Sequence, residues 1–150
     1  QLFAYFIETS SSVDKALKII SIDSAIVVKP ELIALKKPLH SSYILAFKAF
    51  QEQTNIAHTL GVEWLLRLAC THNISKAISF CAPAGNIIGI ACDKELSEKK
   101  INEIGKKVLF KLGSEAQERL TQSYGIQENA LEKYSLEDLI AEKIALGTIE

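Results

Sequence analysis

The sequence has no long apolar run, only three cysteines and almost no net charge, and each shortage excludes a class of protein. Its longest apolar stretches, such as residues 86–92, fall far short of the ~20 residues that a membrane-spanning helix needs, so no membrane is expected among its partners. The first twenty residues lack a basic segment followed by a cleavable apolar one, and a cytoplasmic location is expected. Cys70, Cys81 and Cys92 are odd in number and each lies in an apolar segment, which suits reduced, buried thiols better than a disulfide frame. A formal charge of -1 gives no overall attraction for nucleic acid. The balance is uneven, however: residues 1–92 carry eight Lys+Arg against six Asp+Glu and residues 93–150 nine against twelve, so a polyanion should prefer the first part.

Catalytic signatures are also missing. The chain contains no G-x-G-x-x-G, no G-x-x-x-x-G-K-[ST] and no G-x-S-x-G, which removes the usual supports for dinucleotide, P-loop and hydrolase chemistry. Metal ligation needs closely coupled spacings, but the cysteines stand eleven residues apart and His40, His58 and His72 are scattered between different elements, so no metal or cofactor is expected. Glu137 and Asp138 open a helix, where carboxylates answer the amides and the dipole.

What the sequence does contain is a soluble core. With 48% hydrophobic and 23% charged residues and no low-complexity tract, residues 1–150 read as one domain. Leu2–Ile7 reads as a strand buried on both faces, Ser24–Val28 as a second strand stopped by Pro30, Asn86–Cys92 as a central strand, and "KVLFKL" as a fourth. Between them run helical stripes. Val13, Ala16, Leu17 and Ile20 follow a Ser12 cap; Leu39, Tyr43, Ala46, Phe47 and Phe50 follow Pro38 in a first turn. Val62, Leu65, Leu66 and Ala69 form another stripe, with Glu63 and Arg67 as an ion pair on the opposite, solvated side, contributing a few tenths of a kcal/mol. Asn73 caps a short helix with Ile74, Ala77, Ile78 and Cys81 inward; Ile101 and Ile104 suggest a further helix; Ser114 with Gln117 is a capping box opening one that Gly125 closes. Ser135 caps the last, with Leu139, Ile140 and Ile144 as its stripe and Gly147 as its stop. The expected fold is α/β: a mixed sheet of about four strands flanked by helices.

The stretch "WLLRLACTHNISKAI", Trp64–Ile78, places a cysteine two residues from a histidine. Cys70 falls near a helix C-terminus, where the dipole disfavours a thiolate, and i and i+2 side chains diverge, so activation by His72 is not expected. A thiol-dependent enzyme using Cys70 and His72 remains the alternative reading. More is offered by donors without a catalytic partner. Lys36, Lys37 and His40 at one helix start, Arg67 on another helix, and His72, Asn73 and Lys76 around the junction are expected to converge on one edge as an anion site, with backbone amides at the Asn73 turn assisting.

Read in order, "PLHSSYILAFKAF", "LGVEWLLRLACTHNISKAI", "GNIIGIACD" and "LEDLIAEKIAL" resemble the small kinase-binding subunit of the KEOPS complex, the TPRKB-type family of archaea and eukaryotes. The resemblance spans nearly the whole chain and rests on Glu63-x-Leu65-Leu66-Arg67, Ile74-x-x-Ala77-Ile78 and Glu142-Lys143-Ile144-Ala145-Leu146. It implies a non-catalytic adaptor in tRNA processing. The implied partners are the complex's small atypical kinase/ATPase subunit and tRNA, including its 3′ CCA end, while another subunit attaches threonylcarbamoyl to the adenosine beside the anticodon. By position, Arg67 matches the arginine before the family's small-residue turn, and Asn73 an amide-bearing position before its isoleucine. Where the family often has Ser-Gly and then Arg-Gln-Ile, this chain has Ala69-Cys70 and then His72-Asn73-Ile74. It thus lacks a glycine and a permanent charge in the turn and carries the titratable His72 instead.

Overall fold

A computed structural model describes residues 1–147 and contains four strands, β1 (Phe3–Glu8), β2 (Ile26–Val28), β3 (Ile87–Cys92) and β4 (Lys106–Lys107). They form one sheet in the order β2-β3-β1-β4. Every pairing is antiparallel rather than mixed, with Phe3 opposite Cys92, Ile26 opposite Ala91 and Ile7 opposite Lys107. Strand β3, one residue shorter than the expected Asn86–Cys92, is an inner strand, as its unbroken apolar character predicts.

Helices cover both faces of the sheet. Against one face lie α1 (Val13–Ile20) and α5 (Glu98–Ile104), whose Ala16, Ile20, Ile101 and Ile104 pack on Ile7, Val27, Ile88 and Ile90. The opposite face carries α2 (Lys36–Gln51), α3 (Leu60–Leu68), α4 (Ile74–Cys81), α6 (Ser114–Ser123) and α8 (Leu136–Leu146). Their Leu39, Trp64, Leu68, Cys81, Leu120, Ile140 and Ile144 pack with Ile26, Val28 and Ala91. A single turn, α7 (Glu128–Leu131), precedes α8. Local signals fix several ends. Ser12, Asn73 and Ser135 accept from the amides of Lys15, Lys76 and Asp138. Gly125 takes the positive φ of 64° that ends α6.

Four expectations are corrected. The fourth strand is two residues long and precedes the apolar run, because Leu109 is 98% exposed and has no layer to pack against. Strand β1 has Ala4 and Glu8 exposed, since the short β4 leaves that edge of the sheet thinly covered. At the start of α6, Gly113 rather than Ser114 occupies the cap, and Gln117 donates to the Leu112 carbonyl instead. In α2 the inner line is Leu39, Ser42, Ala46 and Ala49: small residues let α3 approach, and Trp64 Nε1 donates to Ser42 Oγ at 2.9 Å. Phe47 is turned outward, 44% exposed.

Gly61 decides how α3 sits. Its amide donates to the Asp23 carbonyl at 2.8 Å, and a Cβ there would lie 2.5 Å from the Ala25 oxygen, so only glycine allows α3 to start against the entry to β2.

Candidate functional site

Arg67 departs furthest from its expected place. Glu63 is fully buried, and its Oε1 accepts the amides of Ile56 and Ala57 at 2.8 and 2.9 Å, while Arg67 Nη2 donates to Oε2 at 3.2 Å. The side chain of Arg67 is only 16% exposed. The pair is therefore an internal clamp on the loop before α3, and Arg67 is spent on neutralising a buried carboxylate rather than offered to a ligand. The cause is tertiary: Ala57 packs with Leu66 and Ala77 between α3 and α4, which closes the loop over the helix face that periodicity assigns to solvent.

The other candidates divide between the two ends of α8. At its start, Lys37 Nζ lies 2.5 Å from Asp138 Oδ1, and the Lys37 amide donates to Glu137 at 3.0 Å. The hydrogen bond from Lys37 holds the Asp138 carboxyl below its ordinary range, helped by Ser135, and the same contact raises the Lys37 ammonium. Lys36 and His40 are exposed beside this pair, with His40 Nδ1 3.0 Å from the Lys36 carbonyl. At its end, Cys70 Sγ meets the Lys143 carbonyl at 3.6 Å, which ties the α3–α4 junction to the last turn of α8. An 11-residue helix is ~16 Å long, so the expected convergence on one patch does not occur.

At the junction itself His72, Asn73 and Lys76 are exposed. Two of its amides are already satisfied within the chain: Asn73 N–H donates to Thr71 Oγ1 and Lys76 N–H to Asn73 Oδ1. Cys70 holds the left-handed conformation, φ 55°, that glycine adopts without strain. Its sulfur faces a carbonyl at the negative end of a helix, a setting that repels negative charge. Burial pushes the Cys81 thiol up to about 12 and raises that of Cys92. Among the described residues no disulfide forms, and no group of three His, Cys, Asp or Glu is placed to hold a metal ion.

One concavity lies where no local signal points. About 690 Å³ in volume, it is bordered by Lys29, Phe80, Phe110 and Arg119 among others, drawn from the end of β2, from α4, from the segment after β4 and from α6. Lys29 Nζ sits 4.9 Å over the Phe80 ring, and Phe110 stacks on Phe6 with centroids 5.2 Å apart. Arg119 pairs at 3.1 Å with the buried Glu31 and remains more than half exposed. Cations beside aromatic faces form a surface suited to an anionic, planar guest.

A second polar cluster stands at the end of β3. Asp93 accepts from Ser24 Oγ at 2.5 Å and from Tyr43 OH at 2.9 Å. Burial, followed by the bond to Asp93, pushes the Tyr43 phenol up to about 12, so it stays a hydrogen-bond donor. No protein-family model and no curated protein matches this chain.

Proposed function

We propose that the chain is a non-catalytic adaptor, the kinase-binding subunit of a KEOPS complex, which docks the small atypical kinase/ATPase and helps hold tRNA for threonylcarbamoyladenosine formation. The observation that carries the reading is the apolar residues that the core does not use. Of the α4 stripe expected inward only Ala77 and Cys81 are buried; Ile74 and Ile78 are 37% and 51% exposed one turn apart. Ile56, 45% exposed, is held by the Glu63 clamp in the loop that packs against the same helix. Side chains of this size at helical spacing favour a protein partner. Lys29, Arg119, Phe80 and Phe110 support the tRNA part, because a single strand is held by cations for its phosphates and aromatic faces for its bases. Lys36, His40, His72 and Lys76 add exposed donors, whereas Arg67 is engaged internally.

The test is co-purification with the KEOPS kinase and salt-dependent binding of tRNA. Ile74→Asp and Ile56→Asp should abolish capture of the kinase while circular dichroism is unchanged. Lys29→Glu should weaken tRNA binding and flatten its salt dependence by about one phosphate contact. Retention of the kinase by both isoleucine variants rejects the docking surface; equal binding of intact and CCA-trimmed tRNA rejects the role at the 3′ end. Cys70→Ala should leave the activity of the complex intact, and a loss would return thiol chemistry to consideration.

A further inference from the structure

The outer edge of β2 carries a further concavity, about 530 Å³, walled by Val13 and Leu17 of α1 on one side and by Val62 and Leu65 of α3 on the other. Hydrogen-bond parity tells which backbone groups face it. Val108 N–H donates to the Phe6 carbonyl, so Phe6 turns toward β4 and its neighbours Tyr5 and Ile7 turn toward β3. Tyr5 pairs with Ile90 and Ile7 with Ile88, which leaves Gly89 and Ala91 of β3 to bond β2 through Val28 and Ile26. Ala25, Val27 and Lys29 must then direct their amides and carbonyls away from the sheet. Lys29 N–H confirms the parity, since it donates outward to the Cys81 carbonyl of α4 at 2.8 Å.

Two ends of this edge are therefore closed by the chain itself, Lys29 by α4 and the Asp23 carbonyl by the Gly61 amide of α3. Between them the Val27 N–H and C=O and the Ala25 C=O have no hydrogen-bond partner among the described residues, although both residues are only 5% exposed. Backbone groups left without a partner inside a fold are uncommon, and an added strand satisfies them at a strand's spacing. The walls are chiefly apolar, and the ionisable residues lining the groove are the exposed Asp14 and Asp23, together with the buried thiol of Cys81. Among the described residues no Lys, Arg or His lines it.

We propose that this groove receives a short extended segment of another polypeptide, which pairs with Val27 as a fifth strand, seats apolar side chains between α1 and α3, and directs a basic residue to Asp14 and Asp23. A row of backbone donors and acceptors selects an extended main chain, the alternating apolar walls select its side chains, and the two carboxylates select the charge. A second copy of this chain fits poorly, because the edge is recessed between helices and two recessed edges do not meet. The groove adjoins the α4 surface proposed for the kinase, since Ile78 borders both, whereas Ile74 and Ile56 lie outside its lining.

The experiment pans a phage-displayed random peptide library on the purified chain and then measures synthetic versions of the enriched sequences by calorimetry and amide exchange. Enriched peptides should alternate apolar residues with a flanking Lys or Arg and slow exchange of the Val27 amide at least tenfold. They should bind at least tenfold more weakly to Val62→Arg and to Val13→Arg, which fill the groove from opposite walls, and equally well to Leu109→Arg. Methylation of the peptide's central amide nitrogen should cost a similar factor. The proposal is overturned if no sequence is enriched over a folded groove-filled variant, if bound peptides leave Val27 exchange unchanged, or if the N-methylated peptide binds equally. Self-association that disappears in either groove variant would also overturn it.

Discussion

Replacing Glu63 measures how far a helix-surface ion pair differs from a buried clamp. In Glu63→Ala the Ala57 amide, within a residue 2% exposed, loses its acceptor, and Arg67, whose side chain is 16% exposed, loses its counter-charge. An orphaned buried amide costs about 1–3 kcal/mol. Removing one partner of a buried pair costs about 3–5 kcal/mol, with the lower end applying where the remaining charge reaches water. Ile56 lies in a half-exposed residue, so solvent can serve its amide and it adds little. The expected loss is about 3–5 kcal/mol, which for a chain of this length lowers Tm by roughly 6–20 °C. Glu63→Gln keeps an oxygen for both amides but loses the charge and turns an NH2 donor toward Arg67 Nη2, so it should cost about 1–3 kcal/mol. Urea denaturation gives the free energies, and amide exchange should accelerate at Ile56 and Ala57 before the rest of the chain. A solvated i,i+4 pair contributes only about 0.3–0.5 kcal/mol. If Glu63→Ala costs less than about 1 kcal/mol, the clamp is a surface pair and the reasoning fails.

Two further outcomes follow from the site. Because its folded value lies below the ordinary 3.8, Asp138 stays ionised after the unfolded chain has taken up its proton; the contribution of the Lys37 contact is full above that value and is lost as pH falls through the folded one. Carboxyl NMR titration should show this, and Lys37→Ala should bring Asp138 back up; an unchanged midpoint refutes the contact. Iodoacetamide at neutral pH should modify the half-buried Cys70 well before Cys81 and Cys92, whose thiols are buried and raised. Equal rates at all three would mean that the core opens more readily than its packing implies.

Much of the fold is legible locally, since a cap or a stripe is complete within one or two turns. Ser12, Asn73 and Ser135 begin their helices as their side chains require, and the continuous apolar run at 87–92 lies in the centre of the sheet. The candidate site is less legible. Lys36, His40, His72, Asn73 and Lys76 are exposed as expected, but they stand at opposite ends of α8, and sequence carries no measure of that separation. Lys29 and Arg119 give no signal at all, because their shared concavity is assembled from segments about ninety residues apart.

By itself the sequence determined the class of fold, the positions of most helices, the inward place of Cys81 and Cys92 and the cap at the α3–α4 junction, because these depend on periodicity and short-range hydrogen bonding. The tertiary structure alone decided that Glu63 and Arg67 face inward, that the basic residues divide, and that β2 keeps an open edge. Each depends on which distant segment covers a given surface: the loop at Ile56 and Ala57 over α3, α8 between two helix ends, and α3 and α4 closing only the two ends of a strand. Burial is a property of both surfaces in contact, and a local stretch of sequence specifies only one of them.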